Sequence, residues 1–207
     1  LYPYKDWYLV HEKPVVAPVD LLRLEISKKY LRGIGVDIGP LSNPFVVVNE
    51  NCQSVKIDIY PKEKLSRLYP ELMPQVITKP EVLCDGETLN AFRPSSLDFI
   101  IAGHLLEHLR NPIGAIENWI RTLNRGGYLI LIVPEKNFTF DKDRPVTQIA
   151  HFLDDYKSNT EQKDYTHYLE WVELKEKRVE SEIPIRARKL MDAGYSCLLY
   201  TSDAADE

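Results

Sequence analysis

Three acids stand at spacings that could grip one small ligand. Asp37 sits in "GVDIG" (35–39), Asp58 in "SVKIDIY" (54–60) and Asp85 in "EVLCDG" (81–86). Each lies at or near the end of a short apolar run of the kind that forms a strand. If those strands run parallel, the acids emerge at one edge of the sheet, where open α/β folds bind ligands. Asp58 follows Gly39 by about 20 residues, the interval at which such folds set a carboxylate on ribose hydroxyls. Three carboxylates would repel a phosphate; they suit a ligand with hydroxyls, an amine and a positive centre. The turn from Pro40 to Pro44 agrees, since it lacks the repeated glycines of a pyrophosphate cradle.

A second group follows "SLDFIIAG" (96–103). Gly103 and His104 end this run, and His104 opens "HLLEH" (104–108). That string fits H-x-x-E-H, a zinc-peptidase signature, and two imidazoles four apart on a helix could share a metal. Here the helix would be short, broken at Asn111–Pro112, and would start at a strand end. We therefore assign no metal, give His108 a packing or helix-end role, and keep His104 as the first candidate for a general base. Beyond "YLILIVP" (128–134), the loop carries Asp141, Asp143 and Arg144. The two acids are further candidate bases. Arg144 is a candidate contact to an anionic or hydroxylated substrate. A structural Asp–Arg pair that pins the loop explains them equally well.

Positioning these residues takes alternating strands and helices. Strands are expected over 33–39, 54–60, 81–86, 96–103 and 128–134. A helix is expected over 20–31, with Asp20 as its N-cap. Another should start at Asn111 and Pro112, bury Ile113, Ile116, Trp119, Ile120 and Leu123, and end at Gly126 and Gly127. The linker from Pro40 to Gln53 is barely long enough for a crossover and holds three successive valines, so its helix should be short or absent. The fold class is α/β: a doubly wound, mostly parallel sheet of about five strands with an exposed edge. Helices are expected over 167–178 and 183–193, and "VTQIAHFLDDY" (146–156) lies between sheet and helices.

The strings "GVDIG", "IDIY", "CDGETL", "SLDFIIAGHLLEHLRNP", "WIRTLNRGGYLILIVP" and "FTFDKDRPVT" together resemble the Rossmann-like S-adenosylmethionine-dependent methyltransferases. More narrowly, they are similar to the methyltransferase type 11 group often linked with glycan biosynthesis. The resemblance runs from about 33 to 156. It implies S-adenosylmethionine as cofactor, with Asp37 and Gly39 against its methionine part and Asp58 on the ribose hydroxyls. It further implies Asp85 on the adenine amino group, with Gly86 leaving room, and Gly103 and His104 near the sulfonium. The implied activity is methyl transfer to an oxygen or nitrogen of a small-molecule or glycan-related acceptor. Leu41 and Asn43 stand where the pattern places glycines, and Arg125 where it often has proline. Two other functions fit a similar sheet: a nicotinamide-dependent oxidoreductase or sugar-nucleotide enzyme, for which the chain lacks G-x-G-x-x-G, and a non-catalytic binding domain.

Bulk properties bound the rest. The chain has 207 residues, 44% hydrophobic and 28% charged, with a net charge of −5. That composition fits a globular domain and argues against a nucleic-acid partner, which needs clustered Lys and Arg. No run approaches a membrane span. Cys52, Cys84 and Cys197 show no pairing or metal spacing, which is the pattern of a reducing, cytoplasmic compartment. Residues 1–32 are expected as an aromatic, proline-rich arm plus helix, 33–156 as the cofactor-binding core and 157–196 as a helical extension. The ending "CLLYTSDAADE" (197–207) resembles a translated sequencing adapter, and the chain is expected to be a fragment. The residues do not indicate an oligomeric state.

Overall fold

The computed structural model describes residues 18–70, 72–73, 76–139, 142, 145–158, 165–176 and 179–193. Five strands form one parallel sheet in the order β3-β2-β1-β4-β5. They are β1 (Gly33–Ile38), β2 (Cys52–Asp58), β3 (Val82–Leu83), β4 (Leu97–Gly103) and β5 (Leu123–Ile132). The order reverses between β1 and β4, which creates the crevice where such sheets take ligands. The helices are α1 (Pro18–Tyr30), α2 (Lys62–Leu68), α3 (Pro112–Thr122), α4 (Ile149–Ser158), α5 (Tyr165–Trp171) and α6 (Ile183–Ala193). A π-helical turn (Val172–Glu176) extends α5. No helix among the described residues is long and apolar enough to cross a membrane.

Alternation along the strands divides the core. Ile100 and Ala102 face one side with Val36, Ile38 and Ile57, beneath Ala115 and Trp119 of α3. Phe99 and Ile101 face the other side with Leu31 and Phe45. No helix occupies 39–51, as the short linker implies. This stretch runs over the second face as loop, and α1 lies beside it. Asn49 Nδ2 donates to the carbonyls of Ser27 and Leu31, which ties loop to helix. A smaller apolar cluster, Tyr168, Val172, Ala187, Leu190 and Met191, joins α5 to α6. Cys52 and Cys84 are unpaired thiols.

Several local expectations are corrected. Helix α1 already includes Pro18 and Val19, so Asp20 lies inside it rather than at its cap. Helix α3 has the expected cap, with Asn111 accepting the N–H of Gly114. Of the expected stripe, Trp119 is fully buried and Ile116 and Leu123 pack against the core, but the other buried positions are Pro112, Ala115 and Thr122, and Ile120 is 61% exposed. The buried stripe keeps the 3–4 spacing but is rotated from the one the isoleucines mark. Gly126 and Gly127 do not end α3. They lie inside β5, in a bulge between the Leu97–Leu123 and Phe99–Tyr128 pairs. β3 is only two residues long.

Candidate active site at the carboxyl edge of the sheet

All five strands point their carboxyl ends the same way, so the predicted acids share an edge. Backbone bonds stitch that edge together: Gly39 N–H donates to Ile57 O, Cys84 N–H to Asp58 O, and His104 N–H to Ile132 O. Gly39 thus abuts the end of β2, and His104 the end of β5.

Asp37 is buried within β1, on the side that α1 and the loop cover. Its Oδ2 accepts the N–H of Phe45 at 2.8 Å, which fastens the turn after β1. Burial pushes its pKa up to about 6; the Phe45 N–H, Lys56 and Arg23 oppose that shift. Arg23 of α1 reaches the same turn. Its guanidinium donates to Asn43 O and sits 4.5 Å from the Phe45 ring centroid. Burial lowers its pKa, against the attraction of Asp37.

The turn itself answers for the missing glycines. Asn43 N–H donates to Pro40 O, closing a four-residue turn. Gly39 has φ +57°, and Leu41 has φ +43°. A side chain at Leu41 therefore occupies the left-handed region that glycine takes without cost. A Cβ built at Gly39 would meet nothing within 4 Å, so glycine is required there by conformation and not by crowding.

Asp58 accepts the Tyr60 N–H at 3.0 Å, and burial raises its pKa against the N–H groups of Tyr60 and Ile59. Asp85 accepts the Glu87 N–H at 2.7 Å. Gly86 passes close under β1: a Cβ there would lie 2.5 Å from Ile38 Cγ2. Its carbonyl accepts the indole N–H of Trp119 at 2.7 Å, linking this loop to α3. Glu87 is held up in pKa by burial and faces Arg110 at 3.9 Å.

His104 follows Gly103 at φ +52°, rare outside glycine and concentrated at functional sites. Its side chain is half-exposed, and its Nδ1 lies 3.5 Å from the buried Glu107. Glu107 also lies 4.0 Å from His108 Nε2. The string "HLLEH" folds as a 3-10 turn (Leu106–His108), not a helix long enough to align two imidazoles one turn apart. Glu107 was not among the expected site residues; the only signal for it was the zinc-like string. Asp141, Asp143 and Arg144 lie outside the described residues.

Residues 33–131 match a family model described as methyltransferase domain (Methyltransf_11). The matched segment contains the whole five-stranded parallel sheet apart from the last residue of β5. An uncharacterized protein of Methanocaldococcus jannaschii, MJ1123, is 25% identical over 134 residues, covering 65% of this chain and 58% of the relative. The chain thus spans little more than half the length of that relative. Phosphoethanolamine N-methyltransferase 2 of Haemonchus contortus, solved with S-adenosyl-L-methionine, is similar over 85% of this chain and 47% of its own, at 16% identity and a TM-score of 0.41. The YcgJ protein of Bacillus subtilis covers 54% and 48%, at 16% identity and 0.38.

Proposed function

We propose that the chain carries the catalytic core of an S-adenosylmethionine-dependent methyltransferase acting on an oxygen or nitrogen of a small-molecule or glycan-related acceptor. The observation that carries this reading is the convergence of Gly39, Asp58 and Asp85 at the carboxyl edge of a methyltransferase domain, beside a turn without a phosphate cradle. The residues fit the cofactor chemically. Gly39 leaves its Cβ position open, and Asp58 is a partly buried acceptor suited to hydroxyl donors. S-adenosylmethionine supplies an electrophilic methyl group on a sulfonium, and the protein aligns the acceptor to it.

Asp37 places a buried negative charge under the first turn, which favours an ammonium group there. Asp58 would accept from ribose hydroxyls and Asp85 from the adenine amino group. Gly103 and His104 would line the sulfonium end. The Glu107 carboxylate beside Nδ1 favours a proton on that nitrogen and so leaves the lone pair on Nε2. His104 would then remove a proton from a hydroxyl acceptor. Asp141 and Asp143 are alternative bases, and Arg144 would contact the acceptor.

Calorimetric titration with S-adenosylmethionine and, separately, NAD tests the reading. We expect heat with the first alone; NAD heat alone would move the assignment to an oxidoreductase, and heat with neither to a binding domain. For a hydroxyl acceptor, His104→Ala should lower turnover by about 10²–10⁴-fold and remove a limb of the pH–rate profile. Unchanged turnover with an unchanged profile would eliminate His104 as the base.

A further inference from the structure

Helices α4 and α5 bring together three side chains outside the strand-edge site. His151 and Asp155 lie one turn apart on α4 and share a face. His167 approaches from α5. Its Nε2 is 3.2 Å from Asp155 Oδ1, and His151 Nε2 is 3.4 Å from Asp155 Oδ2. The two imidazole centroids are 5.3 Å apart. One donor atom from each residue lies within 4.8 Å of the others. Asp155 and His167 are buried, and the His151 side chain is 35% exposed.

We propose that His151, Asp155 and His167 form a binding site for a transition-metal dication of the zinc class. Tetrahedral zinc with bonds of ~2.0–2.2 Å holds neighbouring donors about 3.3–3.5 Å apart; the two His–Asp separations are close to this but run to different oxygens of Asp155, so the carboxylate would meet the ion with both oxygens or turn one of them toward it. Two imidazoles and one carboxylate select zinc, nickel or copper over magnesium or calcium, which prefer all-oxygen shells. A dication also offsets the cost of burying Asp155. Three protein donors leave a fourth position for water or a small ligand. The site would join α4, which packs beside α3, to the separate α5–α6 cluster.

The competing arrangement is a hydrogen-bonded pin, with His167 donating to Asp155. Zinc titration of the chelator-stripped chain separates the two. We expect uptake of one equivalent, a rise in melting temperature that EDTA reverses, and visible absorption typical of four-coordinate Co²⁺ on cobalt substitution. His151→Ala changes the most exposed of the three ligands. It should keep the circular dichroism spectrum and weaken zinc binding by at least about tenfold, with Asp155→Asn as a second variant. Absence of zinc uptake would overturn the site in favour of the pin. Undiminished uptake by both folded variants would place the metal elsewhere, and an equal melting shift with magnesium would overturn the metal class.

Discussion

On one face of the sheet, α3 lays Trp119 and Ala115 against Ile100 and Ala102, none of which keeps exposed surface. On the other face, α1 and the 39–51 loop lie over Phe99 and Ile101 and carry polar groups inward. Asp37 is buried there, and the Ser27 and Ser54 hydroxyls are buried without a hydrogen-bond partner among the described residues. The first face is built for packing. The second accepts a buried acid within its central strand, orphan hydroxyls and a strained leucine, each of which costs free energy; the first confines comparable costs, Leu89 at φ +46° and the buried Glu107, to the loops that follow β3 and β4. Two of them, the Asp37 carboxyl and the Leu41 backbone, lie at the turn that follows β1, the element nearest the proposed methionine end of the cofactor. The difference teaches that stability and ligand shaping are divided between the faces, and substitutions on each should behave differently.

The sharpest contrast comes from Trp119. Trp119→Ala removes a fully buried indole and its bond to Gly86 O, and should cost about 3–5 kcal/mol. Urea unfolding measures it. A loss below about 1 kcal/mol would mean that this face is not where stability resides.

On the second face the matching test is a pH dependence. The folded Asp37 has a pKa of about 6, above the ordinary value of 3.8. Between these values the folded state holds the proton that the unfolded state has released, so stability falls as pH rises from about 4 to 6 and then levels. The shift corresponds to about 3 kcal/mol. Asp37→Asn keeps an acceptor for the Phe45 N–H and removes the titration. Its stability relative to wild type should therefore climb by roughly that amount between pH 3.5 and 7. A difference that stays constant across this range would show that Asp37 acts through its hydrogen bond alone.

Binding sharpens the comparison further, because its cost should appear at the sheet edge and not in unfolding. Asp58→Asn should weaken S-adenosylmethionine by about 10-fold, the scale of one charge-assisted bond, with little change in urea midpoint. Equal affinity by calorimetry would remove Asp58 from the ribose role.

How much of this was legible beforehand depended on whether a signal was local. The strands were, because β1 and β4 are runs of buried residues on a sheet covered on both sides. So was the α3 cap, because Asn111 and Pro112 satisfy the first turn by their own chemistry. The rotation of α3 was not, since Ile113, Ile116 and Ile120 look as apolar as the residues that the sheet buries. The bulge at Gly126 and Gly127 was not, because glycine marks a helix end and a bulge alike. At the site, the spacing of Asp37, Asp58 and Asp85 was visible, whereas the Asp37–Phe45 bond required the loop to fold back. The His151–Asp155 spacing is written on one helix, but His167 joins it only through the packing of α5.

The smallest expected effect tests the strained turn directly. At an ordinary position glycine is worse than alanine by about 0.5–1 kcal/mol, because it has more freedom to lose on folding. At Leu41, with φ +43°, that order should reverse. Leu41→Ala and Leu41→Gly both remove the isobutyl group, so the loss of packing cancels between them. What remains is the clash of Cβ with the backbone in the left-handed region, worth about 1–2 kcal/mol, against the entropy of glycine. Leu41→Gly should therefore be the more stable of the two, by up to about 1 kcal/mol in paired urea melts. If alanine proves the more stable, Leu41 is not held in the left-handed region. The turn would then differ in backbone from the glycine-bearing turns that it resembles, and the contrast between a packed face and a strained face would lose its clearest local mark.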